Sequence, residues 1–189
     1  MAESQGRYWD LGSGQLLLPF LGLTDERPGR PAPVTDIVQH RSVSGEQARE
    51  DPAERWYSLA IAREEAGDVE GARQAYLAAL GFDPSLSDAC VNLGRLAHYE
   101  GSVQRAASWY RRALEIAPDD PIAHYNLAIA LEDLGDMAGA IKEYQRALEC
   151  DWEFPEAHFN LSRLLRVLGQ QLAAMRHLKV YRQLTGSSH

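Results

Sequence analysis

The sequence predicts an all-α protein: a right-handed solenoid of four helix-turn-helix units preceded by a segment outside the repeat. Four in-phase series predict it. Gly67, Gly101, Gly135 and Gly169 recur every 34 residues. Ala72, Ala106, Ala140 and Ala174 follow them at a fixed offset, with Tyr76, Tyr110, Tyr144 and Leu178 four residues further on. Leu59, Leu93, Leu127 and Leu161 precede the glycines by eight. Such phasing marks an array in which each unit buries its apolar face against its neighbours.

Each element has a physical reason. The glycine stands just past the first helix of its unit, where the chain reverses and a positive φ is cheap for glycine alone. Asp68, Ser102 and Asp136 come next as N-caps of the second helices; Gln170 departs from that pattern. The alanine lets the two helices approach, and the residue four positions on shares its face and fills the space. Asp51-Pro52 and Asp120-Pro121 join a cap to a proline at the first helical position, which opens units one and three. Asp83-Pro84 and Ala117-Pro118 close second helices. The expected repeat domain is 52–186, with units at 53–86, 87–120, 121–154 and 155–186.

Unit one reads Trp56, Leu59, Ala60, Arg63, Ala72, Tyr76, Ala79, Pro84. Unit two reads Cys90, Leu93, Gly94, Ala97, Ala106, Tyr110, Ala113, Pro118, and unit three His124, Leu127, Ala128, Leu131, Ala140, Tyr144, Ala147, with Trp152 in place of the proline. Unit four keeps His158, Leu161, Ser162, Leu165, Ala174 and Leu178. This resembles the tetratricopeptide repeat pattern, and the resemblance implies a superhelix that binds another protein. A narrower resemblance rests on Trp9-Asp10, Ser13-Gly14-Gln15-Leu16-Leu17-Leu18, Phe20, Val91 to Leu96, Ala130 to Gly135, and Arg176-His177-Leu178 with Tyr181-Arg182. These segments are similar to the repeat-bearing tails of bacterial MerR-type regulators. Only seven residues precede Tyr8, so their DNA-binding role is not carried over; a bacterial setting in regulation or assembly is what the resemblance implies.

Residues 1–51 do not share the period. Pro28, Gly29, Pro31 and Pro33 read as an extended linker. Tyr8, Trp9 and Leu16 to Leu23 are apolar enough to pack on the open first helix of unit one or to dock on another protein, and the sequence leaves both open. Ser44, with Gln47 three residues on, could cap a short helix leading into Asp51.

The net charge of -8 argues against direct nucleic-acid binding, which needs clustered Lys and Arg. The run Leu16 to Leu21 is short and broken by Pro19, so neither a signal peptide nor a membrane span is expected, and cytoplasmic residence is the default. Cys90 and Cys150 form no metal pattern and read as small buried apolar residues. His124 and His158 hold the slot of Trp56 and read as helix-contact residues. Glu64-Glu65 and Asp119-Asp120 read as solvated acids at helix ends. No nucleophile motif, phosphate loop or strand pattern is found, so the chain is expected not to be an enzyme and to need no cofactor or metal.

The binding site is expected on the inner face, along the first helices. Asn92, Asn126 and Asn160 recur there, with Ser58 in unit one. An amide that both donates and accepts suits the backbone of an extended peptide. In slot and residue type this resembles the asparagine ladder of O-GlcNAc transferase repeat domains. Tyr57, Val91, Tyr125 and Phe159 are expected as apolar anchors, with Arg95 and Arg163 one turn on. Glu54, Glu64, Glu65 and Asp88 make the early end acidic, while Arg163 and Arg166 make the late end basic, so a bound peptide should run from basic to acidic residues. A heat-shock-tail clamp is discounted for lack of Lys on this face. A secretion chaperone, or an accessory module of a regulator or enzyme, stays as an alternative. Gln171 and Arg182 replace apolar residues of earlier units, so the array is expected to end capped and monomeric.

Overall fold

The computed structural model describes residues 51–186 throughout, and of the N-terminal region only the backbone at 2–4, 7–10 and 15–17. Among the described residues, eight helices form four consecutive hairpins. These are α1 Pro52–Glu65 with α2 Val69–Phe82, α3 Ser87–Tyr99 with α4 Val103–Ile116, α5 Pro121–Asp133 with α6 Met137–Cys150, and α7 Pro155–Val167 with α8 Gln171–Gly186. Helices α2, α4 and α6 each pack on the first helix of the next hairpin, which makes the array an all-α solenoid.

The turns follow the backbone argument. Gly67, Gly101, Gly135 and Gly169 have φ of 76°, 76°, 84° and 77°. That is the left-handed region, where a β-carbon would be strained. Asp51, Asp68, Asp120 and Asp136 cap their helices; the Asp120 carboxylate accepts from the amides of Ile122 and Ala123 at 2.8 and 3.2 Å. Ser102 makes no capping bond; its hydroxyl accepts from Arg105 at 3.1 Å instead. A serine hydroxyl is a weaker local acceptor than a carboxylate, and the arginine one turn on takes it.

The core is a column of small residues and tyrosines. Ala72, Ala106 and Ala140 are fully buried, as are Tyr76 and Tyr144. Gly94 is the tightest point: a β-carbon there would come 2.5 Å from Cε1 of Tyr110. Cys90 is buried as expected, but Cys150 is exposed, because it ends α6 at the surface; both are free.

Ahead of the array, β1 Ala2–Ser4, β2 Arg7–Asp10 and β3 Gln15–Leu17 form an antiparallel meander in which Trp9 lies opposite both Ala2 and Leu16. The sequence showed no strand pattern, because runs of three or four residues are too short for alternation to be read. The backbone of β3 lies alongside α7, at the far end of the array from the expected site on α1. The proline-rich linker, Leu18 to Leu23 and the Ser44 cap lie outside the described residues.

Candidate functional site

Residues at i, i+4, i+7 and i+11 share one face of a helix. In the four first helices these stripes are Glu54-Ser58-Ile61-Glu65, Asp88-Asn92-Arg95-Tyr99, Ile122-Asn126-Ile129-Asp133 and Glu156-Asn160-Arg163-Val167. The asparagines hold the second place in each stripe after the first. The structure gives two of them an internal partner. Asn92 Nδ2 donates to the Tyr57 hydroxyl at 3.1 Å, and Asn160 Nδ2 to the Tyr125 hydroxyl at 2.9 Å. Asn160 is fully buried, whereas Asn92 is half-buried. Asn126 is 8% exposed, and its amide nitrogen has no hydrogen-bond partner among the described residues. The reason is local: the residue 35 positions before Asn126 is Val91, where the other two junctions place a tyrosine.

A second tie runs beside the first. Glu64 is buried, accepts from the Tyr76 hydroxyl at 2.5 Å and pairs with Arg95 of the next unit. Glu132 accepts from the Tyr144 hydroxyl at 3.3 Å and pairs with Arg163 in the same way. Tyr57 tilts on Tyr76 at 5.6 Å between ring centres, and Tyr125 on Tyr144 at 5.8 Å. The same five-residue tie therefore recurs two periods apart, joining unit one to two and unit three to four. The middle junction has Val91, His98 and Ile129 in those places. There His98 Nε2 meets Asp133 Oδ2 at 2.7 Å.

Burial holds the hydroxyls of Tyr57, Tyr76 and Tyr144 above the usual phenol range, so they stay protonated donors or acceptors at neutral pH. Burial also raises the Glu64 carboxyl, against the pull of Arg95. Glu64 is thus a sequestered acid rather than the solvated helix-end acid the sequence suggested.

The residues expected in the groove therefore divide. Val91, Tyr125, Asn126 and Asn160 are buried, while Tyr57, Asn92, Arg95, Phe159 and Arg163 are half-buried. Tyr57, Asn92 and Arg95 meet at one junction and Tyr125, Asn160 and Arg163 at another; Phe159 stacks on Tyr181 at 5.2 Å. The stripes also expose Ile61, Tyr99, Ile122 and Val167, which sequence reasoning missed. Tyr99 and Val167 follow Arg95 and Arg163 by four residues and Asn92 and Asn160 by seven, and Ile122 precedes Asn126 by four, a spacing that could have found them. Glu54, Glu65 and Asp88 are exposed at the early end and Arg166 at the late end.

The histidines expected as plain contact residues form polar ties behind the first helices. His124 Nε2 donates to the Pro118 carbonyl at 2.8 Å, and its Nδ1 meets Glu143 Oε2 at 2.7 Å. In unit four the same slots hold His158 and His177. His158 Nε2 donates to the Trp152 carbonyl at 2.9 Å, so its Nδ1 is the acceptor for His177 Nδ1–H, also at 2.9 Å. Burial lowers both imidazole pKa values, and a charge on His158 lowers that of His177 further. Above the ordinary histidine value of about 6.5 both rings are neutral folded or unfolded, and the pair adds no pH dependence. Below it the unfolded chain takes up protons first, so stability falls as pH falls. The melting temperature of the wild type is expected to drop between pH 6.5 and 5.5. His177→Glu, which recreates the unit-three pair, is expected to flatten that drop; parallel curves for the two proteins would contradict the assignment.

Stacked helical hairpins with glycine turns and alanine–tyrosine cores define the class, a helical-repeat solenoid. Profiles described as "Tetratricopeptide repeat" match residues 46–87, 57–121 and 93–153, and a second profile of that description matches 143–176. The chain belongs to the tetratricopeptide repeat family. Similar solved structures include the MamA protein, at 19% identity and a TM-score of 0.66 over 73% of this chain and 75% of that one. MamA from Desulfovibrio magneticus RS-1 is 22% identical, with a TM-score of 0.64 over 74% of this chain and 78% of that one. YrrB, described as "a TPR protein with an unusual peptide-binding site", is 21% identical, with a TM-score of 0.65 over 74% and 72% of the two chains. These likenesses establish the shared fold. No curated protein matches the sequence. Among the described residues, no helix is long and apolar enough to cross a membrane.

Proposed function

We propose that the chain is a protein–protein interaction module that holds an extended segment of a partner along the inner stripes of its first helices. One observation carries this reading. Ile61, Tyr99, Ile122 and Val167 stay exposed in register with Asn92, Arg95 and Arg163, on helices whose mutual positions the tyrosine–asparagine and glutamate–arginine ties hold. A rigid row of apolar and polar side chains binds without first ordering itself, which lowers the cost of association. Tyr57, Asn92, Arg95, Phe159 and Arg163 line this groove in the proposal, and Val91, Tyr125, Asn126 and Asn160 form its floor. The peptide-binding site of YrrB belongs to a protein of the same fold and supports a peptide as the guest. The likeness to MerR-type tails adds a bacterial regulatory or assembly setting in the cytoplasm to the proposal.

The test is a partner isolated by affinity capture, followed by Tyr99→Ala and Val167→Asp in the full chain. Covering most of an apolar side chain contributes about 1.5 kcal/mol, so each change is expected to weaken binding roughly tenfold. Both positions are exposed, so helicity should not change. Unaltered affinity in both variants would move the site off this face.

A further inference from the structure

The last helix carries a second surface, distinct from the groove. α8 stands where α2, α4 and α6 stand in the other units, and each of those is covered by the first helix that follows it. The slot of Met175 is held by Arg73 in unit one, by Ala107, fully buried, in unit two, and by Ile141, packed against the core, in unit three. Among the described residues nothing covers that face in α8: Met175 is 65% exposed, and Leu172, at a slot that Glu70, Gln104 and Ala138 leave exposed in the other units, adds a 77% exposed apolar side chain beside it. The sequence pattern predicts a polar cap from Gln171 and Arg182, with Leu172 and Met175 as the residues that would betray an open apolar face; all four are exposed. Arg176, Lys179 and Arg182 flank them, and with Leu178 they line a shallow groove of about 540 Å³. α8 contains no Asp or Glu, although the whole chain has a net charge of -8.

Charge decides what can cover this groove. The other open end of the array is α1, which a second copy would have to stack on α8. Ala89, Ala123 and Ala157 are fully buried in units two to four, and Arg55 stands at that place in α1. Stacking would bring Arg55 toward the three cations of α8, while the exposed acids of α1, Glu54 and Glu65, lie on its inner stripe. A second copy is electrostatically mismatched. An acidic surface is matched, and a first helix is the shape that the Met175 and Arg182 slots receive elsewhere in the fold.

We propose that α8 docks an acidic amphipathic helix from a different protein. Its apolar side covers Leu172 and Met175, and its carboxylates meet Arg176, Lys179 and Arg182. The test uses the full chain and two designed helical peptides with the same leucine face, one with glutamate flanks and one with lysine flanks. The glutamate peptide is expected to bind with Kd on the order of 10 µM, at least tenfold tighter than the lysine peptide. The double change Lys179→Glu and Arg182→Glu, both on the surface, is expected to invert that preference. Absence of binding, equal binding of both peptides, or a preference that survives the double change would each overturn the proposal. So would a tight dimer in sedimentation that Met175→Glu dissolves, because a second copy would then own the face.

Discussion

Replacing Glu64 by alanine is expected to lower the stability of the array by about 3 kcal/mol. Its carboxylate is buried, accepts from the Tyr76 hydroxyl and pairs with Arg95 across the first junction. Alanine removes the acceptor of the Tyr76 hydroxyl and the carboxylate that Arg95 meets across the junction, and it opens a void under the end of α1. Arg95 keeps some solvent, which holds the loss below that of a fully buried pair. Glu64→Gln should cost about 1 kcal/mol, since the amide oxygen still accepts from Tyr76 while the charge attraction is gone. Urea unfolding of the three proteins checks the order. Equal stabilities would mean that the first junction is held by apolar contact alone.

The second large effect is a difference of sign at one repeated slot. Asn126→Leu is expected to stabilise the protein by about 1 kcal/mol, because it removes a buried amide that lacks a donor's partner and substitutes a side chain of similar size. Asn160→Leu is expected to destabilise it by about 2 kcal/mol, because it strips the Tyr125 hydroxyl of its partner in a fully buried site. Thermal melts of the two variants decide the matter. The same sign in both would show that the slot responds to helix propensity or volume rather than to the tyrosine 35 residues upstream.

Much of this architecture could be read in advance. The 34-residue series located the turns, cores and most caps, since each depends on residues close in sequence. The tying of neighbouring units was less legible, because it depends on residue pairs 31 and 35 positions apart that only the stacking of hairpins brings together. The asparagine series is visible, but its partners are not: beside their expected place as groove anchors, the hydroxyls of Tyr57 and Tyr125 hold Asn92 and Asn160. The exposure of Tyr99 and Val167 was hidden for a related reason. They sit in the last turn of first helices, where the repeat pattern prescribes nothing. His158 and His177 show the same limit, since neither is informative until the α7–α8 hairpin places them together.

The central claim is that a partner lies along the first helices. Amide hydrogen exchange of the full chain, free and with its captured partner, tests it most directly. The account predicts added protection along α1, α3, α5 and α7, centred on the stripes that carry Ile61, Tyr99, Ile122 and Val167. Protection confined to α2, α4 and α6, with the first helices unchanged, would contradict it.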